Sequence, residues 1–117
     1  MKFAVSVTLI VAVVASTLLA SPEPALTYKD IKPIFDSKCV SCHGSQSNSG
    51  GLRLDTYAAV LKGGGHGKSV LAKNSAGSRL MKMLKDTVSP RMPMGDKPLT
   101  QVQMVKISKW ITQGARK

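Results

Sequence analysis

Both cysteines of the 117-residue chain and one of its two histidines fall in a single pentapeptide, Cys39-Val40-Ser41-Cys42-His43. Two thiols separated by two residues can each add across one vinyl group of the same porphyrin, giving two thioether bonds. The histidine directly after the second thiol is then held beneath the iron as an axial ligand. The spacing therefore points to one covalent haem of the c type, tethered by Cys39 and Cys42 with His43 on the metal. Three other uses of these residues fail. A thioredoxin-like redox pair needs a βαβ context, and no strand pattern flanks the motif. A structural zinc site wants four ligands, and only His66 lies beyond the pentapeptide. A simple disulfide explains neither the adjacent histidine nor a thin apolar core.

A second axial ligand has several candidates: His66 and the methionines at 81, 83, 92, 94 and 104. Met81, Met83 and Met104 sit in helical patterns, where a methionine more often fills a core than binds a metal. His66 lies among Gly63, Gly64, Gly65 and Gly67, a setting that suits an exposed side chain. Met92 differs. Pro93 after it biases its backbone to an extended form, on a loop with no helical core to fill, 49 residues after His43. Met92 is the expected iron ligand, with Met94 beside Gly95 as its near competitor and a ligand elsewhere or an open site as the remaining alternatives. A thioether facing the iron from the side away from histidine raises the reduction potential and favours electron transfer over ligand chemistry.

Gly67-Lys68-Ser69 looks like the end of a phosphate loop, but that pattern needs glycine five residues before the lysine-adjacent glycine, where Lys62 stands. No strand precedes it either, so the glycines are expected to form a plain loop.

The elements that must position these residues are helices joined by long loops. Thr27 or Asp30 caps a first helix carrying Ile31, Ile34 and Phe35 on one side. With Asp30 as the cap, Pro33 falls in the first turn, where its missing N–H costs little. Residues 44–51 are expected to be a flexible loop. Asp55 is expected to cap a short helix from Thr56 to Lys62, stopped by three glycines. Ser75 or Ser78 opens a third, with Leu80, Met81 and Leu84 inward. Two prolines and a glycine keep 89–95 out of regular helix. Thr100 and Gln103 form a capping box for the last helix. There Met104, Ile107 and Ile111 share a face, Trp110 flanks it and Gly114 ends it. No strand alternation and no internal repeat is present.

The N-terminus reads as an export signal. A basic start at Lys2, an apolar run from Phe3 and small residues before Ser21-Pro22 describe one, spanning residues 1–20. Cleavage after Ala20 leaves bulky Leu18 where a small residue is preferred, and Phe3 to Ala20 is nearly long enough to stay as a membrane anchor. The rest of the chain is expected outside the cytoplasm, in a bacterial periplasm, soluble or N-terminally anchored. Residues 21–27 read as a linker and 28–117 as the working domain. Of the 97 residues from 21 onward, 35 are apolar, or 36%, which is thin for a domain that must bury its own core. A porphyrin would supply the missing apolar mass. Seventeen Lys and Arg against six Asp and Glu give a formal charge of +11. The basic residues are scattered, and exported proteins rarely meet nucleic acid. The charge suits an acidic redox-partner protein or an anionic membrane surface.

The flanks of the pentapeptide carry a resemblance. Ile31-x-Pro33-Ile34-Phe35, Cys39-x-x-Cys42-His43-Gly44 and Gly50-Gly51-Leu52-Arg53-Leu54-Asp55-Thr56 stand in that order. They are followed by Leu61-Lys62-Gly63-Gly64, Ser78-Arg79-Leu80, Met92-Pro93, Pro98-Leu99-Thr100 and Trp110-Ile111 with Gly114-Ala115. This pattern, from about residue 28 to 115, resembles the planctomycete-type cytochrome c domain. It departs from that family at Ala72-Lys73-Asn74, where a Pro-Gly turn is usual. The resemblance implies an all-α, class-I-like cytochrome c fold, short helices and long loops around one covalent haem, with Met92 as the distal ligand. Family members are often fused to larger domains, whereas this domain is expected to stand alone.

The expected function is that of a periplasmic monohaem c-type cytochrome carrying single electrons between redox partners. A haem-based sensor with a labile sixth ligand and a haem subunit docked on a larger oxidoreductase are the alternatives. An enzyme is not expected, because no acid–base pair or distal catalytic histidine stands out beside the motif. Arg53, just after the glycine loop, is expected to pair with a haem propionate.

Overall fold

The computed structural model describes residues 3, 4, 10–16 and 23–117. The export-signal reading of residues 1–20, and the start of the 21–27 linker, lie largely outside the described residues. Among those described, no helix is long and apolar enough to cross a membrane. Four α-helices carry the fold: α1 (Tyr28–Lys38), α2 (Tyr57–Lys62), α3 (Arg79–Leu84) and α4 (Gln101–Thr112). Pairing between extended segments among the described residues is limited to isolated bridges.

Helix α1 begins one turn earlier than a cap at Asp30 would place it. Thr27 is the cap, and its N–H donates to the Asp30 carboxylate at 2.8 Å. That bond is the main reason the Asp30 carboxyl is held below the usual carboxylate range. Pro33 consequently sits in the second turn, and the Lys29 carbonyl that loses its intrahelical partner lies on an exposed stretch. Ile31, Ile34 and Phe35 are all buried, as their spacing requires.

The cap of α2 also differs from expectation. Thr56, not Asp55, accepts the Ala59 N–H (3.2 Å), because Asp55 is occupied by the neighbouring Arg53. Gly63 ends α2 at φ +81°, and a Cβ there would collide with the Gly67 carbonyl. Ser78 caps α3, and its hydroxyl donates to the Asn74 carbonyl (2.7 Å) and accepts the Leu71 N–H (2.9 Å). The segment that departs from the family pattern is a turn in which Lys73 itself adopts φ +65° and donates its N–H to the Ile111 carbonyl. Helix α4 has the expected reciprocal cap between Thr100 and Gln103.

Helices α1 and α3 both pack on α4. At the α1–α4 crossing, Trp110 is wholly buried at the centre of the contact face rather than on its flank. It meets Phe35 edge-on, with ring centroids 6.4 Å apart, and lies 6.3 Å from Tyr28. Tyr28 also reaches Tyr57 at 5.7 Å. Such aromatic pairs add stability beyond their buried area. The same rings fix the C-terminal tail. The Arg116 carbonyl accepts both the Trp110 indole N–H (2.8 Å) and the Tyr28 N–H (2.7 Å), while the Tyr57 hydroxyl donates to the Ala115 carbonyl. On the other side of α4, the Leu26 N–H donates to the Gln113 side chain, so packed structure begins inside the segment read as a linker.

Tyr28 couples this core to the segment that follows the pentapeptide, donating its hydroxyl to the Leu54 carbonyl at 3.0 Å. Burial first, and then the Asp36 and Asp55 charges, push its phenol up to about 12. A phenol raised in the folded state keeps its stabilisation below the unfolded value near 10 and loses it as pH climbs toward 12. Tyr28→Phe should therefore lower stability by about 1–2 kcal/mol at neutral pH in urea melts. It should also flatten the stability loss between pH 10 and 12.

Candidate haem-binding site

The pentapeptide is a tight turn wound onto the end of α1. The Phe35 carbonyl accepts the N–H groups of both Cys39 (2.9 Å) and Val40 (3.0 Å). The Cys39 carbonyl in turn accepts those of Cys42 (3.1 Å) and His43 (2.8 Å). Gly44 must follow, because a Cβ at that position would collide with the Val40 carbonyl. Residues 44–51 are not a loose loop. The Ser49 N–H returns to the Cys42 carbonyl, and Ser49–Gly51 make a short 3-10 turn. From there the Gly50 carbonyl takes the Gly65 N–H at 2.7 Å, which sets the Gly63–Gly67 loop against the site.

His43 is held through both its backbone and its ring. Its carbonyl accepts the Leu54 N–H at 2.7 Å, and its Nδ1–H donates to the Leu52 carbonyl at 3.2 Å. A carbonyl can only accept, so this bond fixes the tautomer and leaves the Nε2 lone pair for a metal. Cys39 is half-buried against the core and Cys42 is exposed, and neither is in a disulfide. Burial, with a smaller contribution from Cys42, pushes the Cys39 thiol up to about 11, so it is protonated at neutral pH.

Cys39, Cys42 and His43 line one cavity of about 370 Å³, within the size range of small-molecule and cofactor sites. Leu52, Leu54, Leu80 and Leu84 supply apolar wall. Two unpaired thiols, an imidazole with a committed tautomer and an apolar cleft fit a covalently held porphyrin and its iron.

Among the candidates for a second ligand, Met81 is 1% exposed in the core, and neither it nor Met104 lines the cavity. Met92, Met94, Met83 and His66 do line it. Met92 is half-buried, packs against the core and donates its N–H to the Met83 carbonyl at 3.1 Å. Met94 is 65% exposed. The loop carrying both is closed by Arg91, whose Nη2 donates to the Asp96 carbonyl at 2.9 Å. It is tied to the end of α1 by Lys38 and Asp96, 3.5 Å apart. The Lys97 N–H, and then Lys38, hold the Asp96 carboxyl below the usual range.

Arg53 does not take the role expected of it. Its Nε and Nη2 grip the Asp55 carboxylate at 3.0 and 2.6 Å, and it is not part of the cavity wall. A carboxylate two residues away takes one edge of the guanidinium in a bidentate pair and holds it off the cavity. Met83, read from its helical pattern as core filler, lines the cavity, and so do Arg79 and Ser69, to which sequence spacing assigned no role in the site. All three reach the cavity through tertiary packing of α3 and its approach, which local spacing does not encode.

The Planctomycete cytochrome C family model matches residues 39–95, from the first thiol through the Met92 loop. Over those residues the chain is similar to the planctomycete-type cytochrome c domain. Comparison with curated proteins and with solved structures gave no match. The match implies haem c with iron, and Cys39, Cys42 and His43 stand in the attachment motif such a domain uses.

The two loop methionines separate by spectroscopy. Met92→Ala should abolish the sulfur-to-iron charge-transfer band of the ferric protein, while Met94→Ala should keep it. The reverse pattern would move the ligand to Met94.

Proposed function

We propose that the chain is an exported monohaem cytochrome c of class-I-like fold that carries single electrons between protein partners. The observation that carries this reading is the shared cavity of Cys39, Cys42 and His43, with Nδ1 already committed to the Leu52 carbonyl. The bound haem would supply a reversible one-electron ferric/ferrous couple. The chain's own residues do the rest. Cys39 and Cys42 would tether the porphyrin, so that the carrier keeps it at any dilution. His43 would hold the iron through Nε2, and the Leu52 carbonyl makes the imidazole a stronger donor. Met92 would be the second ligand, on a loop braced by Arg91 and by the Lys38–Asp96 pair. A firmly held pair of ligands changes little between oxidation states, which suits a carrier better than a catalyst.

Export supports this reading from a separate direction, since c-type attachment takes place outside the cytoplasm and residues 1–20 have the composition of a signal. We place the protein in a periplasm, free or held by its N-terminus. The +11 charge would steer an acidic redox partner.

Steering has a direct signature. The rate of electron exchange with an acidic redox protein should fall steeply between about 10 mM and 1 M salt, as the Debye length shrinks from about 30 Å to about 3 Å. A rate flat across that range would remove the acidic partner from the proposal.

A further inference from the structure

Besides its thiols and imidazoles, the cavity wall contains two polar side chains that are withdrawn from solvent and lack a partner among the described residues. Ser69 is only 6% exposed, yet its hydroxyl makes no hydrogen bond among the described residues. Arg79 is half-buried and lines the same cavity, and it makes no ion pair or hydrogen bond among the described residues. The two are brought together by backbone, because the Leu80 N–H donates to the Ser69 carbonyl at 2.9 Å. The other charged groups on the wall are accounted for differently. Lys38 and Asp96 answer each other, and His66 lies exposed on the glycine loop.

A half-buried guanidinium gains from a nearby anion, and a hydroxyl that has no partner in the chain but is open to the cavity is free to donate to a ligand there. Both are satisfied by one carboxylate entering from the cavity, because guanidinium and carboxylate geometries match and the hydroxyl can donate to a free lone pair. We propose that Arg79 and Ser69 form the seat of a haem propionate, the role that Arg53 cannot fill while it grips Asp55. Gly67-Lys68-Ser69, set aside as a phosphate loop, thus contributes its serine to a different anion. This inference rests on the haem reading of the cavity and adds the orientation of the ring within it.

The test compares wild type, Arg79→Gln, Arg79→Lys, Ser69→Ala and, as a control, Arg53→Gln. All are expressed with export and haem attachment, and haem content is read by haemochrome absorbance. The midpoint potential of each is followed from pH 4 to 9, with and without His66→Gln to identify any imidazole titration. Ionising a propionate stabilises ferric iron, so the potential falls as pH rises through that group's pKa. Losing the adjacent cation should move this inflection up by about one to three pH units in Arg79→Gln. Arg79→Lys should largely restore it, Ser69→Ala should move it less in the same direction, and Arg53→Gln should leave it in place. An unmoved inflection in haem-loaded Arg79→Gln, or a shift in Arg53→Gln of equal size, overturns the seat. If Arg79→Gln does not accumulate, Ser69→Ala decides by the same criterion. A wild-type chain without haem overturns the haem reading itself, and is told apart by the haemochrome before any titration.

Discussion

The hydrogen bond from His43 Nδ1 to the Leu52 carbonyl sets the chemistry of the site, and most of the surrounding structure serves to hold its two ends. At one end, the pentapeptide turn hangs from Phe35, a core residue of α1, through bonds to a single carbonyl. At the other, Leu52 lies on a segment pinned by the Leu54 N–H to His43 and by the Tyr28 hydroxyl to Leu54. Tyr28 in turn belongs to the aromatic cluster at the α1–α4 crossing. The imidazole's orientation is therefore referred, within two or three contacts, to the buried aromatic cluster of the core. Such support distinguishes a preorganised metal ligand from a histidine that happens to lie in a cleft.

The core itself is one-sided. Its aromatic cluster joins α1 to α4, and the leucines of α3 and of the 52–54 segment turn to the cavity as well as to the core. A domain this small with a large apolar cleft is at the edge of what burial can stabilise. In the proposed holoprotein the porphyrin completes that face, so tethering and folding support each other. The thin apolar composition beyond residue 20 then has a physical cause.

Local chemistry was legible in the sequence and tertiary placement was not. The Cys39–His43 motif, the Thr100–Gln103 cap and the inward faces of α1, α3 and α4 follow from spacing of a few residues, and the structure carries each of them. Asp55 does not cap α2 because its short-range pair with Arg53 outcompetes the helix terminus, and the same pair holds Arg53 off the cavity wall. Residues 44–51 look loose from their glycines and serines, yet long-range backbone bonds from Cys42 and Gly65 fold them back. The places of Arg79, Ser69 and Met83 on the cavity wall follow from the tertiary packing of α3 and its approach, not from their spacing. Met92 stood between these cases: its proline and loop position singled it out, and packing against the core gave it a place on the cavity wall.

The central claim is that this cavity belongs to one haem held by both thiols. Intact mass of the exported chain under denaturing conditions, before and after thiol alkylation, tests it most directly. The account predicts the mass of the chain plus one haem, unchanged by alkylation because Cys39 and Cys42 are both thioethers. The mass of the chain alone, rising by two alkyl groups, would contradict it.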